Sequence, residues 1–525
     1  MIETENPKTT IKEIAMKQYY LGIEFGSTRV KAVLIDGEHR IVKSGDYTWK
    51  SSLENGVWTY HMEDVQTGLR TAIRNLGELP GAVSAMGISG MMHGYLAFDK
   101  DWNLLAPFRT WQNTMTGEAA EQLTAEFGFN IPQRWSIAHL YQAVLNGEAH
   151  VKNIAHITTL AGYVHYLLTG ENVLGVGEAS GMFPIDSEAL DYDAAMLEKF
   201  DALIAKYGFA WTARSVLPKV LTAGQAAGAL TQAGSTFLDG LLSAGIPFCP
   251  PEGDAGTGMT ATNAVAPRTG NVSAGTSIFA MVVLEKPLSK VYQEIDMVTT
   301  PSGKPVAMVH CNNCTNDMNA WVSLLGETAK LFGAEVSTGE LFTKLYQKSL
   351  EGDADCSGVL TYNYMAGEGI THLDEGRPMV VRKPESSFTL ANFLRSQLYA
   401  TMSTLKLGMD ILAEEHVAID SLTGHGGLFK TPVVGQKYMA AACRAPVTCM
   451  ESAGEGGPYG MALLASYLVQ KQDGQTLEQY LETEIFADVK RTTLAPDPED
   501  EAGFDRYLSW YRSALAAENA AVKAF

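Results

Sequence analysis

The N-terminal part of the chain alternates short apolar runs with turns, and this pattern predicts a β-sheet built around a hairpin. An apolar run that begins at Tyr19 leads into a turn at Gly26, after which strand-like sequence resumes. Apolar residues then recur at helical spacing, and a buried strand follows that ends in a glycine-flanked turn. The predicted elements are strands at 19–24, 30–36, 41–49, 82–89 and 95–98, and a helix at 62–76.

The same pattern returns in the second half of the chain. Residues 275–284 repeat the order of residues 26–34, which is a glycine, two hydroxyl residues and then a strand. More strand-like sequence and a long helix follow each copy, in the second case at 305–311 and 315–332. The repeat predicts two related domains whose hydroxyl-bearing turns could bind one polyphosphate between them, unless the two similar turns are a coincidence.

A mostly helical region separates the two copies, and glycine-rich loops follow the second one. The clearest helices are predicted at 138–145, 161–168 and 194–207, and a long amphipathic helix at 390–415. Two strand–loop–helix units come next, with strands at 419–422 and 445–450, glycine-rich loops at 423–428 and 451–458, and helices at 432–443 and 459–469. Pro432 suits the first turn of its helix. Backbone N–H groups at helix N-termini bind phosphate, so these loops predict a nucleotide site in the second domain.

A single acid lies among small residues near the middle of the chain. Asp254 stands between Gly253 and Ala255, and Thr257 is the only bulkier residue before Gly258. A glycine-rich loop lets a ligand approach the backbone closely, and it leaves the carboxylate uncrowded in the space between the two halves. An acid followed by a second hydroxyl-bearing turn is an order that suits phosphoryl transfer, whereas the alternative is an aspartate that only forms a turn.

Length and charge narrow the functional classes. A chain of 525 residues is too long for one hydrophobic core and predicts two domains. The formal net charge of −20 argues against a nucleic-acid partner, although a phosphate ligand needs only local donors or a metal. Residues 1–17 lack the apolar segment of a signal peptide, and no run of about 18 apolar residues occurs. We therefore expect a cytoplasmic protein that does not cross a membrane.

The six cysteines are sparse for this length, which is typical of a reducing compartment. Cys311 and Cys314 form a Cys-x-x-Cys pair, for which a redox or zinc site is one interpretation. Zinc sites usually show a second ligand pair at suitable spacing, and the sequence has none. We therefore interpret the pair as two thiols that face the core.

In combination, these motifs resemble the FGGY carbohydrate kinases, a family with the actin-like ATPase fold. The resemblance runs from about Tyr19 to about Leu515. The hairpin at 22–28 resembles the family's phosphate turn, and residues 89–94 resemble the sugar-contacting turn of xylulokinases. The other matching segments are Trp111-Gln112-Asn113, the helical insert at 166–171 with 179–181 and Asp186, Gly253-Asp254, 273–277, Gly426-Gly427 with Gln436 and 446–447, and 457–465.

The resemblance implies an α/β fold of two actin-like (ribonuclease H-like) ATPase domains with a central cleft. It divides the chain into an N-terminal extension at 1–18, a sugar-binding domain with a helical insert at 19–260, and a nucleotide-binding domain at 261–525. A hinge is expected near 255–265, and closure of the two domains would exclude water from the transferring phosphoryl group. The expected partner is a small sugar, and a homodimer is compatible with the pattern.

The resemblance also assigns roles to residues. Asp254 is expected to be the catalytic base, because phosphoryl transfer needs a group that accepts the hydroxyl proton. Mg²⁺ would be held near Glu24 and Asp254, largely through waters. The residues expected to contact the sugar are Met92, His93, Trp111 and Asp254. Those expected to contact ATP are Gly26, Ser27, Thr28, Gly275, Thr276, Gly426, Gly427, Gln436 and Gly457, while Arg29 is either a phosphate ligand or a surface residue.

The family pattern is broken at two positions, and the sugar signals are mixed. Glu24 stands where the family usually has Asp, and Asn113 ends its Trp-x-Asp segment without the usual arginine just after it. The tail at 486–511 resembles L-ribulokinases. The expected substrate is a ketopentose, D-xylulose first and L-ribulose second, ahead of other ketoses or polyols. The alternatives are an actin-like ATPase without a small substrate and a non-catalytic sugar sensor.

Overall fold

The computed structural model describes residues 18–450 and 456–524. The first half of the chain contains a five-stranded sheet, a helical insert and several two-stranded ribbons. Its elements are β1 (Tyr19–Phe25), β2 (Arg29–Asp36), β3 (Ile41–Thr48), β4 (Ser52–Glu54), β5 (Val57–Thr59), α1 (Met62–Arg74), β6 (Val83–Gly90), β7 (Leu96–Phe98), α2 (Gly117–Phe127), α3 (Ser136–Leu145), β8 (His156–Thr158), α4 (Leu160–Thr169), β9 (Val173–Gly175), α5 (Val176–Ala179), β10 (Ile185–Asp186), β11 (Asp191–Tyr192), α6 (Ala194–Ile204), α7 (Ala213–Val216), β12 (Lys219–Leu221), α8 (Gln232–Phe237), β13 (Glu252–Gly253) and α9 (Asp254–Ala261).

The second half contains a seven-stranded sheet and longer helices. Its elements are β14 (Thr269–Ala274), β15 (Ile278–Val283), β16 (Asp296–Thr299), β17 (Pro305–Cys311), α10 (Asn316–Leu331), α11 (Thr338–Ser349), β18 (Val359–Tyr362), β19 (Met379–Arg382), α12 (Leu390–Glu414), β20 (Ser421–His425), α13 (Val434–Cys443), β21 (Val447–Met450), α14 (Gly457–Gln470), α15 (Leu477–Tyr480), β22 (Arg491–Leu494) and α16 (Pro498–Ala524).

The two large sheets share one topology. The first has the strand order β3-β2-β1-β6-β13, and the second has the equivalent order β17-β15-β14-β20-β21, with β16 and β22 added at its edges. The central strands β1 and β14 each pair antiparallel with their hairpin partner and parallel with the strand on their other side. The internal repeat expected from the two hairpins is therefore confirmed, as is the α/β class.

Helices cover both faces of the first sheet, which explains why β1 is apolar along nearly its whole length. Side chains alternate between the two faces of a strand. Accordingly, Leu21 and Ile23 belong to the hydrophobic core that contains Leu69 of α1. Tyr20 belongs to the core on the opposite face, which contains Met461 of α14.

Helix α14 falls within the predicted second domain, yet it packs on the first sheet. A Cβ added to Gly22 of β1 would lie 2.0 Å from the carbonyl oxygen of Pro458. One added to Gly460 would lie 1.9 Å from the carbonyl oxygen of Thr257 in α9. Glycine therefore lets α14 cross β1 and α9 at backbone contact distance. Residues 261–525 are not packed as one unit, because α14 and α15 share a core with the first half.

Three local predictions differ from the structure. The segment predicted as a loop around Asp254 is helix α9, because close packing of its small residues against α14 outweighs the low helix propensity of glycine. Residues 423–425 extend strand β20 and do not form a loop, since they pair with β14. Helix α13 begins at Val434 and not at Pro432, because the φ of 75° at Val433 is incompatible with a helix.

Cys311 and Cys314 are buried, unpaired thiols in the core of the second half. This confirms the interpretation of the pair as core-facing residues. Within residues 18–450 and 456–524, no group of three or more His, Cys, Asp or Glu side chains could hold a metal ion by itself. In that same part of the chain, we find no helix with the length and apolar character needed to cross a membrane.

Candidate active site

A cleft of about 990 Å³ lies between the two halves of the chain. The turn after β1 reaches it through Ser27, and the turn after β14 reaches it through Ser277, so the two hairpins face one space. The predicted site residues that line the cleft are Glu24, Ser27, Met92, His93, Trp111, Asp254 and Gly457. The structure therefore brings together the residues predicted for the sugar, the metal and the base.

Asp254 opens helix α9 directly after strand β13. Because β13 pairs in parallel with β6, Gly253 lies beside Gly90 and the acid lies next to the turn that follows β6. Its Oδ1 accepts hydrogen bonds from the backbone N–H of Met92 at 3.3 Å and of Ala255 at 2.9 Å. Asp254 is open to the cleft, yet desolvation by the surrounding protein raises the pKa of its carboxyl to about 6, although these two bonds lower it. A carboxyl of this pKa is mostly ionised at neutral pH and well matched to accept a proton.

Glu24 lies near the end of β1, and its buried Oε2 has no hydrogen-bond partner among the described residues. Burial, and then the charge of Asp254, raises the pKa of Glu24 to about 8. A Cβ on Gly457 would lie 1.4 Å from this oxygen, so glycine at the start of α14 leaves room for the carboxylate. Two neighbouring carboxylates with an unsatisfied oxygen fit a divalent cation such as Mg²⁺, whose ligands are oxygens.

His93 lies in the turn after β6 with a φ of 68°, and its side chain is buried. Its Nδ1 lies 2.9 Å from the carbonyl oxygen of Gly181, and its ring stacks on Trp135 with centroids 6.1 Å apart. Burial, and then the charge of Arg134, lowers the pKa of His93 to about 3, so the ring is neutral. A carbonyl oxygen can only accept, so Nδ1 carries the proton and Nε2 is left to accept a hydrogen bond from a hydroxyl.

Trp111 reaches the cleft, whereas Asn113 two residues later does not. The Nε1 of Trp111 donates to the Oγ of Ser27 at 3.2 Å, which links the sugar side to the first hairpin turn. Asn113 is buried, and it accepts from the N–H of Trp58 at 2.8 Å and donates to the carbonyl of Trp58 at 2.9 Å. A carboxylate could accept the first bond but could not donate the second. Asparagine therefore fits a position that holds the backbone and does not line the cleft.

The two hydroxyl-bearing turns are both fixed through their backbone carbonyls. In the first turn, the hydroxyl of Tyr60 donates to the carbonyl of Ser27 at 2.7 Å. In the second turn, the Oγ1 of Thr315 donates to the carbonyl of Gly275 at 2.7 Å. The candidates that belong to these turns but lie outside the cleft lining are Gly26, Thr28, Gly275 and Thr276. Their contacts with ATP stay predictions.

Gly426 and Gly427 follow β20 and lie against the second hairpin. Gly426 has a φ of 98°, and a Cβ there would lie 2.4 Å from the carbonyl oxygen of Ala274. Glycine meets both constraints, so this turn stays close to the second hydroxyl-bearing turn. Neither glycine is part of the cleft lining, and residues 451–455 of the next glycine-rich loop lie outside the described residues.

Two candidates for ATP binding have structural contacts away from the cleft. Gln436 is buried, and its Nε2 donates to the carbonyls of Val447 and Thr492, each at 2.7 Å. It thereby joins strands β21 and β22, and its nucleotide role rests on the resemblance alone. Arg29 is exposed and lies 3.5 Å from Asp46, which favours its interpretation as a surface residue.

Several residues of the cleft were given no individual role by the sequence. They include Trp58, Asn130, Arg134, Asn271, Phe279, Asp296, His310, Glu368 and His425. The Oδ1 of Asn271 and the Nε2 of His425 are buried without a partner within the described residues. These two residues come from the neighbouring strands β14 and β20. The only local signal for them is their position next to a hydroxyl-bearing turn and a glycine pair, because the pairing of distant strands is not visible in short patterns.

Sequence models of one enzyme family match most of the chain. The N-terminal domain of the FGGY family of carbohydrate kinases matches residues 19–260, and its C-terminal domain matches residues 270–469. The chain belongs to the FGGY family of carbohydrate kinases. It is therefore a sugar kinase, an outcome that argues against both the actin-like ATPase and the non-catalytic sensor. FGGY kinases use ATP as phosphoryl donor, generally with Mg²⁺.

Several known proteins resemble the chain over more than nine-tenths of its length at low sequence identity. A xylulose kinase from Haemophilus influenzae is 22% identical over 513 residues, which span 93% of this chain and 99% of that protein. A ligand-bound xylulose kinase from Lactobacillus acidophilus superposes with a TM-score of 0.78 at 17% identity and covers 95% of this chain and 99% of its own. A gluconate kinase from the same organism has the same TM-score and identity, with 95% and 98% covered. These structures show the two-domain kinase fold.

Proposed function

We propose that this kinase transfers the γ-phosphoryl group of ATP to a hydroxyl of a ketopentose, with D-xylulose the favoured substrate. The observation that carries the proposal is the bond between the Met92 N–H and the Asp254 carboxylate. It ties the acid to the turn that carries His93, so a sugar hydroxyl bound at that turn lies beside a group able to take its proton. The turn is also the part of the sequence that resembles xylulokinases.

The residues of the cleft divide the work of phosphoryl transfer. The Nε2 of His93 accepts a hydrogen bond from a sugar hydroxyl, and Asp254 removes the proton from the hydroxyl that attacks. Glu24 and Asp254 would hold Mg²⁺ largely through waters, and the metal would neutralise charge on the phosphates. The turns at Ser27 and Ser277 approach the phosphates from opposite halves of the chain. Closure of the halves would exclude water from the transfer.

The choice of sugar has to come from the site, because the fold does not distinguish sugars. A xylulose kinase and a gluconate kinase superpose on this chain equally well. Asn113 does not line the cleft, so its difference from the family pattern carries no argument about the sugar. L-Ribulose is the second candidate because the tail at 486–511 resembles L-ribulokinases. A cytoplasmic location and a homodimer stay predictions.

An ADP-release assay over a panel of ketopentoses, ketohexoses and polyols tests the proposal. We expect D-xylulose to give the highest kcat/KM and MgATP to be required. A hexose or polyol that surpasses every ketopentose would overturn the substrate but leave the kinase activity intact. Sugar-independent ATP turnover at an equal rate would contradict the proposed function itself.

A further inference from the structure

An ion pair joins the two halves of the chain within the cleft. Arg134 lies between α2 and α3 of the first half, and its guanidinium donates to the Oδ2 of Asp296 at the start of β16 in the second half. The Nδ2 of Asn130 donates to the carbonyl oxygen of Ile295 at 2.9 Å and approaches the Oδ1 of Asp296 at 3.3 Å. Arg134 and Asp296 both line the cleft. The pair is therefore a contact between the halves that a ligand in the cleft can reach.

Strand β16 also forms hydrogen bonds with the first half at its other end, at Thr299. The backbone N–H of Thr299 donates to the Oγ of Ser180 at 3.0 Å, and the Oγ1 of Thr299 donates to the carbonyl of Val176 at 3.1 Å. Strand β16 is thus fixed to the first half at both ends. This fixes the position of Asp296 relative to Arg134.

Arg134 is the only lysine or arginine among the described residues that line the cleft. The buried imidazole of His93 and the partly buried imidazole of His310 lie near it, and both are neutral, because desolvation and then the charge of Arg134 lower their pKa values to about 3 and about 4. The acids of the lining include Asp254, Glu294 and Asp296. The single strong cation near the sugar turn is therefore already neutralised by Asp296, in an otherwise acidic cleft.

We propose that Arg134 and Asp296 form a cross-domain selectivity pair that makes the cleft accept uncharged sugars and reject sugar acids. A hydroxyl can donate to Asp296 and accept from Arg134, so a neutral sugar satisfies both partners without breaking them apart. The carboxylate of a sugar acid would have to compete with Asp296 for the guanidinium of Arg134. It would also be repelled by Asp296 and the other acids of the lining, and such repulsion is unfavourable at a desolvated contact. This inference rests on the proposed sugar-kinase function and narrows its substrate class.

The fold alone does not determine whether a kinase of this kind accepts a neutral sugar or a sugar acid. The solved structures that resemble the chain include a kinase named for a neutral ketose and one named for a sugar acid, at equal TM-score. A difference in substrate class between such similar folds has to come from a few charged side chains at the site.

The test compares ligands that differ only at one carbon. Xylitol and D-xylonate have the same chain length, and one has a hydroxymethyl group where the other has a carboxylate. Binding of each is followed by tryptophan fluorescence, because Trp58 and Trp111 line the cleft, and phosphorylation is followed by ADP release with D-xylulose as the reference substrate. The variants are Asp296→Asn, Arg134→Gln and the double variant. The control is Arg214→Gln, which removes the surface ion pair of Arg214 with Asp191 at 2.8 Å.

Asp296→Asn frees the charge of Arg134, so the affinity ratio of xylonate to xylitol should rise by at least about tenfold. Arg134→Gln should weaken the binding of D-xylulose through KM with little change in the KM for ATP. The double variant should lose the gain in xylonate binding, because the gain depends on the arginine. Arg214→Gln should match the parent in every measurement.

Three outcomes would overturn the inference. The first is a parent protein that binds xylonate as well as xylitol. The second is an unchanged ratio in a folded Asp296→Asn variant, and the third is an equal rise of the ratio in the double variant. If D-xylulose is phosphorylated while any of these outcomes is found, only the selectivity pair fails. If no sugar of the panel stimulates ADP release, the proposed function fails as well.

Discussion

The two central sheets have the same strand order but present different chemistry to the cleft. In the first sheet, the pairing of β1 with β6 places Glu24 beside Ser89, and Asp254 directly follows β13, the strand on the other side of β6. In the second, the equivalent pairing of β14 with β20 places Ser273 beside His425. One hairpin therefore ends with a carboxylate and the other with neutral polar groups. The repeated scaffold thus determines where the functional groups lie, while single residues at the strand ends determine their chemistry.

The contrast extends to the electrostatics of the strand ends. Glu24 and Asp254 lie close together at the cleft, and desolvation by the surrounding protein raises the pKa of each carboxyl. The second hairpin instead relies on glycine, since Gly426 permits a backbone approach to Ala274 that a side chain would block. We infer that the first half handles the proton and the metal, and that the second half makes room for the nucleotide.

Loss of the acid in the first half should have the largest effect. Asp254→Asn keeps the volume and the backbone bonds but removes the base. General base catalysis contributes on the order of 10²–10⁴-fold, so kcat should fall by about that much while sugar affinity changes far less. Steady-state kinetics with D-xylulose and calorimetric sugar binding measure the two quantities.

The matched control for that variant is Asp193→Asn. Asp193 also accepts a backbone N–H at the start of a helix, from Met196 at 2.9 Å, but it lies outside the cleft lining. Its kcat should equal that of the parent. A folded Asp254→Asn protein with kcat within about threefold of the parent, well short of the range for base catalysis, would remove Asp254 from the mechanism.

A change at the glycine turn of the second half should act on the nucleotide. Gly426→Ala forces a side chain onto a φ of 98° and against the carbonyl of Ala274. Strain of this kind costs about 1–3 kcal/mol, so the KM for ATP should rise roughly tenfold or more while sugar affinity is kept. Gly339→Ala, at a helical site with open space around the added carbon, is the control. If Gly426→Ala raised the KM for ATP and the KM for the sugar equally, the proposed assignment of nucleotide binding to the second half would be contradicted.

The smallest expected effect is on stability. Because the pKa of Glu24 rises from 4.5 to about 8 on folding, the folded state binds this proton more tightly, and ionisation costs stability as pH increases across that window. Glu24→Gln cannot ionise. Its Tm should exceed that of the parent above about pH 8, by about 1 °C for each kcal/mol regained in a chain of this length, and the difference should vanish near pH 4.5.

Scanning calorimetry across this pH range measures the difference in Tm, with Glu188→Gln on the surface as the control. The same variant should lose activity, because it lacks the carboxylate proposed to hold the metal. A variant that is no more stable than the parent at high pH would show that Glu24 is not strained by its surroundings.

The sequence carried most of the information on the scaffold. Hairpins, their repetition and the glycine-flanked turn at His93 depend on local patterns, and each was found where the apolar periodicity predicted it. The segment around Asp254 was misjudged because its glycines signal a loop. Packing against α14, a helix some 200 residues away in the chain, decides for a helix there.

The remaining part of the site depends on contacts between distant segments. Arg134 and Asp296 belong to no motif, and only the arrangement of β16 against the helical insert brings them together. Asn113 shows the reverse case, since it belongs to a family motif but bonds to the backbone of Trp58 and does not line the cleft. Local sequence thus indicated which turns carry chemistry, but not which side chains of those turns reach the cleft.

The most direct test of the account is the pH dependence of kcat/KM for the sugar at saturating MgATP. Asp254 has to be ionised to accept the proton, and its carboxyl has a pKa of about 6. We predict that kcat/KM is constant near neutrality and falls about tenfold for each pH unit below 6. The residual activity of Asp254→Asn should not show this fall. A rate for the parent that stays constant down to about pH 4, near the ordinary pKa of an aspartate, would contradict it.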